Sequence, residues 1–322
     1  MKTKIFSLIG FFFGIGIVAF LFADQSISWR DLFARQIRWD WFCALVASSV
    51  LYVVSGAWKW QRISRIWRNE SPRFSYLFRH TSYAVLWSQL LPLPVATAMQ
   101  RAAAMKWVEG KTVGQGIWHA SYDILFDLGF VGLLFLCSAA QIAWKFGFDI
   151  WCALGLIGFV LACVVLVFLP RLIDAGSALL SRFSFGPKIV SSLRDCRDSG
   201  LMQPRVMIEM AALGAFRFLL ITFRLWLCAK TFGLDIDCDV LFMASPIAAA
   251  PSLIPITPGN LGVTEGVWTY LLTLWGVASS SALLFAAEMR LALLVVHAGL
   301  AFVGAAANWI AKLRLCGTGV PR

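Results

Sequence analysis

The chain has 322 residues, 60% of them hydrophobic and only 14% charged. That balance excludes a soluble globular protein, and one integral membrane domain over 1–322 is expected. The formal charge is +11. The basic residues sit mostly in loops beside apolar runs, so topology and anionic lipid account for them and nucleic acid does not.

Met1 to Lys4 is short and basic, and Ile5 to Phe22 is apolar. No A-x-A cleavage site follows, so this reads as a retained first span. A mixed-charge loop leads to a second span, Trp41 to Trp58. Lys59, Arg62, Arg65, Arg68, Arg73 and Arg79 then form a basic segment that Trp58, Trp60 and Trp67 mark as interfacial. Ser75 to Leu91 stops at Pro92-Leu93-Pro94, and a short run from Thr97 to Val108 follows. Each piece would be about 18–26 Å long as a helix, against a hydrocarbon core of roughly 30 Å. The pair reads as a broken helix.

Val113 to Trp144 is long enough to span, and it holds His119, Asp123 and Asp127 on one helical face. Ile150 to Leu169 is a further span. Arg171 to Arg205 mixes Arg and Lys with Phe183, Phe185, Ile189 and Leu193. It reads either as an amphipathic surface helix or as a solvated loop. Val206 to Thr231 spans again and carries Arg217 and Arg224 on one face. Two short runs, Val240 to Ile254 and Val267 to Trp275, flank Pro255-Ile256-Thr257-Pro258-Gly259-Asn260-Leu261-Gly262-Val263-Thr264-Glu265-Gly266. Two prolines and three glycines cannot continue a helix, so this is a second break. Irregular backbone at membrane depth is tolerated only inside protein or beside a water-filled cavity, where transporters place their binding sites. Ser281 to Ile310 is the last span.

The expected fold is an all-α polytopic membrane protein with about six full spans and two broken or re-entrant helices, or ten crossings if each break is a surface turn between two short spans. With the N-terminus in the cytoplasm, only Arg30, Arg35, Arg38, Lys145 and Lys230 fall outside, and Arg217, Arg224 and Arg290 lie within spans. The other basic residues are all cytoplasmic, a strong positive-inside bias. The order span, span, broken helix, span occurs twice. Three full spans per half is odd, so the order implies an inverted repeat.

Pro255, Pro258, Gly259, Leu261, Gly262, Val263 and Glu265 match P-x-x-P-G-G-L-G-V-x-E, with Asn260 in place of the second glycine. Pro92 and Arg101 match L-P-x-x-x-G-G-D-x-x-R at the right spacing, with Ala96, Thr97 and Ala98 replacing the glycines and the acid. Asp127-Leu128 with Gly132-Leu133 is similar to D-R-x-x-G-L without its arginine. With Pro246 and Gly276, these motifs resemble the lysylphosphatidylglycerol synthase membrane-region (flippase-like) family from Leu91 to about Gly304. The resemblance implies a domain that moves a modified lipid (aminoacylated, glycosylated or isoprenoid) between leaflets. Bifunctional members carry a soluble aminoacyl-transferase domain after the membrane part. This sequence ends at Arg322 without one, so synthesis of lysyl-lipid is not expected.

A charge inside the bilayer costs at least about 2.5–3.5 kcal/mol. Asp123, Asp127, Arg217, Arg224, Glu265, Glu288 and Arg290 are therefore expected to face inward. Two readings stand: interhelical pairs, such as Asp127 with Arg217, or a polar cavity for a headgroup. The expected substrate-binding set is Arg101, Asp123, Asp127 and Arg217, with Pro258, Gly259, Asn260, Gly262 and Glu265 at the second break. Helices beginning near Thr97 and Val263 would aim their N-termini at mid-membrane, where phosphate is favoured. Glu265 would then pair with Arg101 in the absence of lipid, or hold a cationic headgroup such as an aminoacyl amine. His80, His119 and His297 read as structural. The eight cysteines form no CxxC pair, so no metal site is indicated and no cofactor is expected.

The resulting expectation is a lipid transporter of a bacterial cytoplasmic (inner) membrane, not an enzyme, with both termini inside and membrane lipid as its partner. One alternative is a membrane enzyme that uses His119, Asp123 or Glu265 on a lipid phosphate or ester. Another is a non-transporting partner of a lipid-modifying enzyme.

Overall fold

A computed structural model describes residues 36–68, 72–107, 113–146, 200–201, 203–249, 257 and 260–317, with residues 19 and 23 singly. The expected spans Ile5 to Phe22 and Ile150 to Leu169, and most of the segment Arg171 to Arg205, lie outside them. The described residues form eight helices and no strand. They are α1 (Trp39–Arg68), α2 (Phe74–Trp87), α3 (Leu93–Trp107), α4 (Val113–Phe146), α5 (Pro204–Thr231), α6 (Cys238–Ala249), α7 (Val263–Leu274) and α8 (Ser279–Gly317).

Helices α1, α4, α5 and α8 are long and apolar enough to cross a membrane. Helices α2, α3, α6 and α7 have 14, 15, 12 and 12 residues. At 1.5 Å per residue none reaches roughly 30 Å. They pack as two pairs, α2 on α3 and α6 on α7. The chain therefore reads long, short, short, long, twice.

Local chemistry sets the ends. Pro204 opens α5 at a position whose N–H is not needed. Helices α5 and α7 close alike, with Gly233 (φ 69°) and Gly276 (φ 84°) in the left-handed region that glycine tolerates. The next amides reach back, Leu234 N–H to the Ala229 carbonyl at 2.9 Å and Val277 N–H to the Leu272 carbonyl at 3.1 Å. Pro246 lies inside α6 without ending it. A proline there leaves the carbonyl of Phe242 without its amide, and the Ser245 hydroxyl donates to that oxygen at 3.3 Å. After α5, Lys230 Nζ lies 2.7 Å from Asp235 Oδ1, and this hydrogen bond holds the exposed Asp235 carboxyl below its usual range.

The packing repeats as the order does. Within the first half α1 meets α2, α2 meets α3, α3 meets α4 and α1 meets α4; the second half makes the corresponding four contacts. Across the halves, α2 on α8 answers α6 on α4, and α4 on α5 answers α8 on α1. Helices α1 and α5 pair with each other and run antiparallel. The Arg38 amide donates to the Thr231 carbonyl at 2.9 Å, Trp41 stacks edge-on against Trp226, Arg217 bonds Tyr52, and Arg62 bonds Glu209. Equivalent helices running in opposite directions make the repeat an inverted one.

Two expectations change. Helix α1 does not end at Trp58 but continues to Arg68, and it buries Lys59 and Trp60 completely or nearly so. Helix α3 begins at Leu93 rather than Thr97. Arg101 therefore lies about 12 Å along the helix from its N-terminus.

Candidate functional site

Helix α4 presents His119, Asp123 and Asp127 on one face, and three neighbouring helices each bring a cation to it. From α1, Lys59 Nζ reaches Asp123 Oδ1 at 2.7 Å, Asp127 Oδ1 at 2.6 Å and the Asp123 carbonyl at 3.0 Å. From α3, Arg101 pairs with Asp123, donates to the His119 carbonyl at 3.0 Å, and lies 4.9 Å from the Trp60 ring centroid. From α5, Arg217 reaches Asp127 Oδ2 at 2.5 Å and the Tyr52 hydroxyl at 3.2 Å. Lys59, Arg101 and Asp123 are all at most 4% exposed. Removing such charges from water is repaid only by close pairing and hydrogen bonds of this kind.

The cluster does not balance. Arg224, one turn pair along α5 from Arg217, is 5% exposed and has no acid among its described partners. Its guanidinium lies 4.6 Å from the Tyr52 ring centroid, and that of Arg217 lies 4.8 Å from the same centroid. Two guanidiniums thus share one aromatic ring inside the bundle. Among the described residues, the acids paired with Lys59, Arg101 and Arg217 are Asp123 and Asp127, and none is paired with Arg224, so positive charge is in excess here in a medium of low dielectric.

Beside this cluster lies a cavity of about 130 Å³. Its charged side is Arg101, Asp123, Asp127 and Arg217, and its apolar side includes Val85, Ile124, Phe218 and Ile221. Leu93 and Pro94, at the first break, form part of its wall. A charged floor under apolar walls suits a headgroup that carries hydrocarbon.

His119 and His297 are held from outside their own helices. Arg101 Nη1 lies 3.1 Å from His119 Nδ1, and His119 Nε2 lies 3.0 Å from the Ser64 hydroxyl. A guanidinium only donates, so Nδ1 accepts and the ring proton sits on Nε2, toward Ser64. In that tautomer His119 cannot take the proton of Ser64. On the other half, Arg224 Nη2 lies 2.9 Å from His297 Nε2, and His297 Nδ1 lies 3.2 Å from the Gln89 amide. His80 meets Arg79 and Gln100.

The structure brings Arg101, Asp123, Asp127 and Arg217 together, and Asp127 pairs with Arg217. Glu265 does not join them. Its Oε1 lies 2.6 Å from Arg290 Nε, and its Oε2 accepts the Gly262 amide at 2.7 Å. The expected pairing of Glu265 with Arg101 is therefore replaced by one with Arg290. The N-terminus of α7 is likewise taken by the protein's own carboxylate rather than left for a phosphate. Asn260 lies 3% exposed beside a second cavity. Pro258 and Gly259 lie outside the described residues. Sequence reasoning passed over Lys59, Tyr52 and Gln89 as binding candidates. The signal for Lys59 was its place seven residues after Tyr52, on the same helical face.

Broken helices, an inverted repeat and a buried charged cavity define a polytopic helical membrane protein. The chain belongs to the lysylphosphatidylglycerol synthase TM region family, whose model matches residues 7–301. The match extends well before Leu91, where the recognisable motifs begin. No curated protein and no solved structure matches the chain.

Proposed function

We propose that the protein moves a phosphate-bearing, modified lipid between the leaflets of a bacterial cytoplasmic membrane. One observation carries this reading: the buried excess of cations around Tyr52, beside an amphiphilic cavity at a helix break. A phosphate supplies the missing negative charge, and guanidinium forks match its oxygens. The lipid chains lie along the apolar wall. The orientation proposed keeps both termini in the cytoplasm, following the basic loops. A lipid-modifying enzyme is the proposed source of the cargo.

The proposed activity is translocation rather than catalysis. The tautomer of His119 disfavours it as a base toward Ser64, and Asp123 is held between Lys59 and Arg101 rather than poised for proton transfer. The test is reconstitution in vesicles with a headgroup-labelled anionic phospholipid. Label in the inner leaflet should become accessible to an external quencher, faster than in empty vesicles, with the lipid recovered chemically unchanged. Arg217→Gln should lower that rate at least tenfold. A chemically altered lipid would establish the enzyme instead.

A further inference from the structure

The two breaks meet at a second cavity, of about 170 Å³. The first break contributes Ser88, Gln89 and Leu93, the second contributes Asn260 and Thr264, and α8 contributes Arg290. Asn260 is held there with φ 52°, and its amide donates to the Thr257 carbonyl at 2.9 Å. Its side-chain oxygen is buried and has no hydrogen-bond donor among the described residues. A buried acceptor without a donor is costly and calls for an explanation.

Charge narrows what fits. Arg290 is paired with Glu265, so no net charge remains between these two. A free cation would meet the Arg290 guanidinium, and a free anion would meet the unsatisfied oxygen of Asn260. An uncharged hydroxyl meets neither objection. It donates to Asn260 Oδ1 and can accept in return from Thr264 or Gln89. The cavity is also larger than one trapped water requires.

Place narrows it further. Leu93 forms part of the wall of both cavities. Gln89 lines the second, bonds His297, and through it reaches Arg224 on the Tyr52 ring. The two cavities are therefore neighbours, linked through the contacts that Gln89, His297 and Arg224 make in turn up to the Tyr52 ring. We propose that the cavity between the breaks is a subsite for the hydroxyl-bearing substituent of the lipid whose phosphate occupies the charged cavity. It rests on the lipid reading above and adds to it a selection for headgroup hydroxyls.

The test compares two lipids with the same chains and the same phosphodiester. Phosphatidylglycerol carries a three-carbon headgroup with two hydroxyls, and phosphatidylpropanol carries three carbons and none. Binding is measured on the purified full chain in nanodiscs of neutral lipid. The expected result is about five- to tenfold tighter binding of phosphatidylglycerol, the worth of about one net hydrogen bond. Asn260→Gly tolerates the positive φ and should abolish the preference. Thr264→Val, nearly isosteric, should reduce it and guards against a folding defect at residue 260. Equal affinity of the unaltered protein for the two lipids overturns the subsite. Sodium-dependent binding without a headgroup preference also overturns it and makes the cavity a cation site. Failure of both lipids to bind, or binding untouched by Arg217→Gln, would instead strike the phosphate site itself.

Discussion

At the scale of single residues, the buried cations divide into two kinds. Asp127 serves Lys59 and Arg217 together. Asp127→Asn strands Arg217 and leaves Lys59 with Asp123 alone, and breaking a buried pair in this way costs about 3–5 kcal/mol. The expected outcome is a marked fall in thermal midpoint and in folded yield by size-exclusion fluorescence. Among the described residues Arg224 has no acid to strand. Arg224→Gln removes a repulsion with Arg217 and should leave the thermal midpoint unchanged or raised, while transbilayer lipid movement falls at least tenfold. A residue that costs stability and serves activity is placed by function. The acids of α4 were legible in the sequence because i, i+4, i+8 spacing fixes a common face. Lys59 was not, because the tryptophans around it mark an interface equally well. Only the approach of α4 and α5 to α1 shows that the helix continues through that point.

Among the elements, the short helices are fixed by their ends and close contacts. In α7 the Glu265 carboxylate both caps the helix at Gly262 and holds Arg290 on α8. Glu265→Gln keeps an oxygen for the cap but loses the charge, and a destabilisation of about 1–3 kcal/mol is expected. The double variant Glu265→Gln with Arg290→Gln should recover part of it. The coupling is read from a cycle of thermal or denaturant midpoints. Helices α3 and α4 approach so closely at Gly116 that a Cβ there would lie 2.5 Å from the Ala102 Cα. Backbone cannot move aside as a side chain can. Gly116→Ala should therefore cost about 1–3 kcal/mol, measured in the same way. That the breaks exist was legible from proline, glycine and run length. What they face was not, since Arg290, the partner of Glu265, comes from α8, and Asn260 shares its cavity with Ser88, Gln89 and Leu93 of the first break, all remote in sequence.

For the whole molecule, the repeated order was visible from run lengths, and its inversion followed from counting spans. The antiparallel crossing of α1 and α5 needed the structure. With the proposed orientation, residues 62 and 209 lie toward the cytoplasm and residue 38 lies outside. In a background without native cysteines, Arg38→Cys should react with a membrane-impermeant maleimide applied outside intact cells, and Glu209→Cys should react only after permeabilisation. The reverse pattern would turn the molecule over without altering its fold. Tyr52 and Arg217 meet near the middle of that crossing, with the Arg62–Glu209 pair at one end and the Arg38–Thr231 contact at the other. Arg62 is about ten residues from Tyr52, a lever of roughly 15 Å. Tilting α1 against α5 by roughly 10° about the midpoint carries the Arg62 end about 2–3 Å on a lever of that length. The midpoint itself hardly travels. A headgroup held at Tyr52 and Arg217 would sit on the fulcrum of a see-saw, keeping its grip while the walls on either side change places.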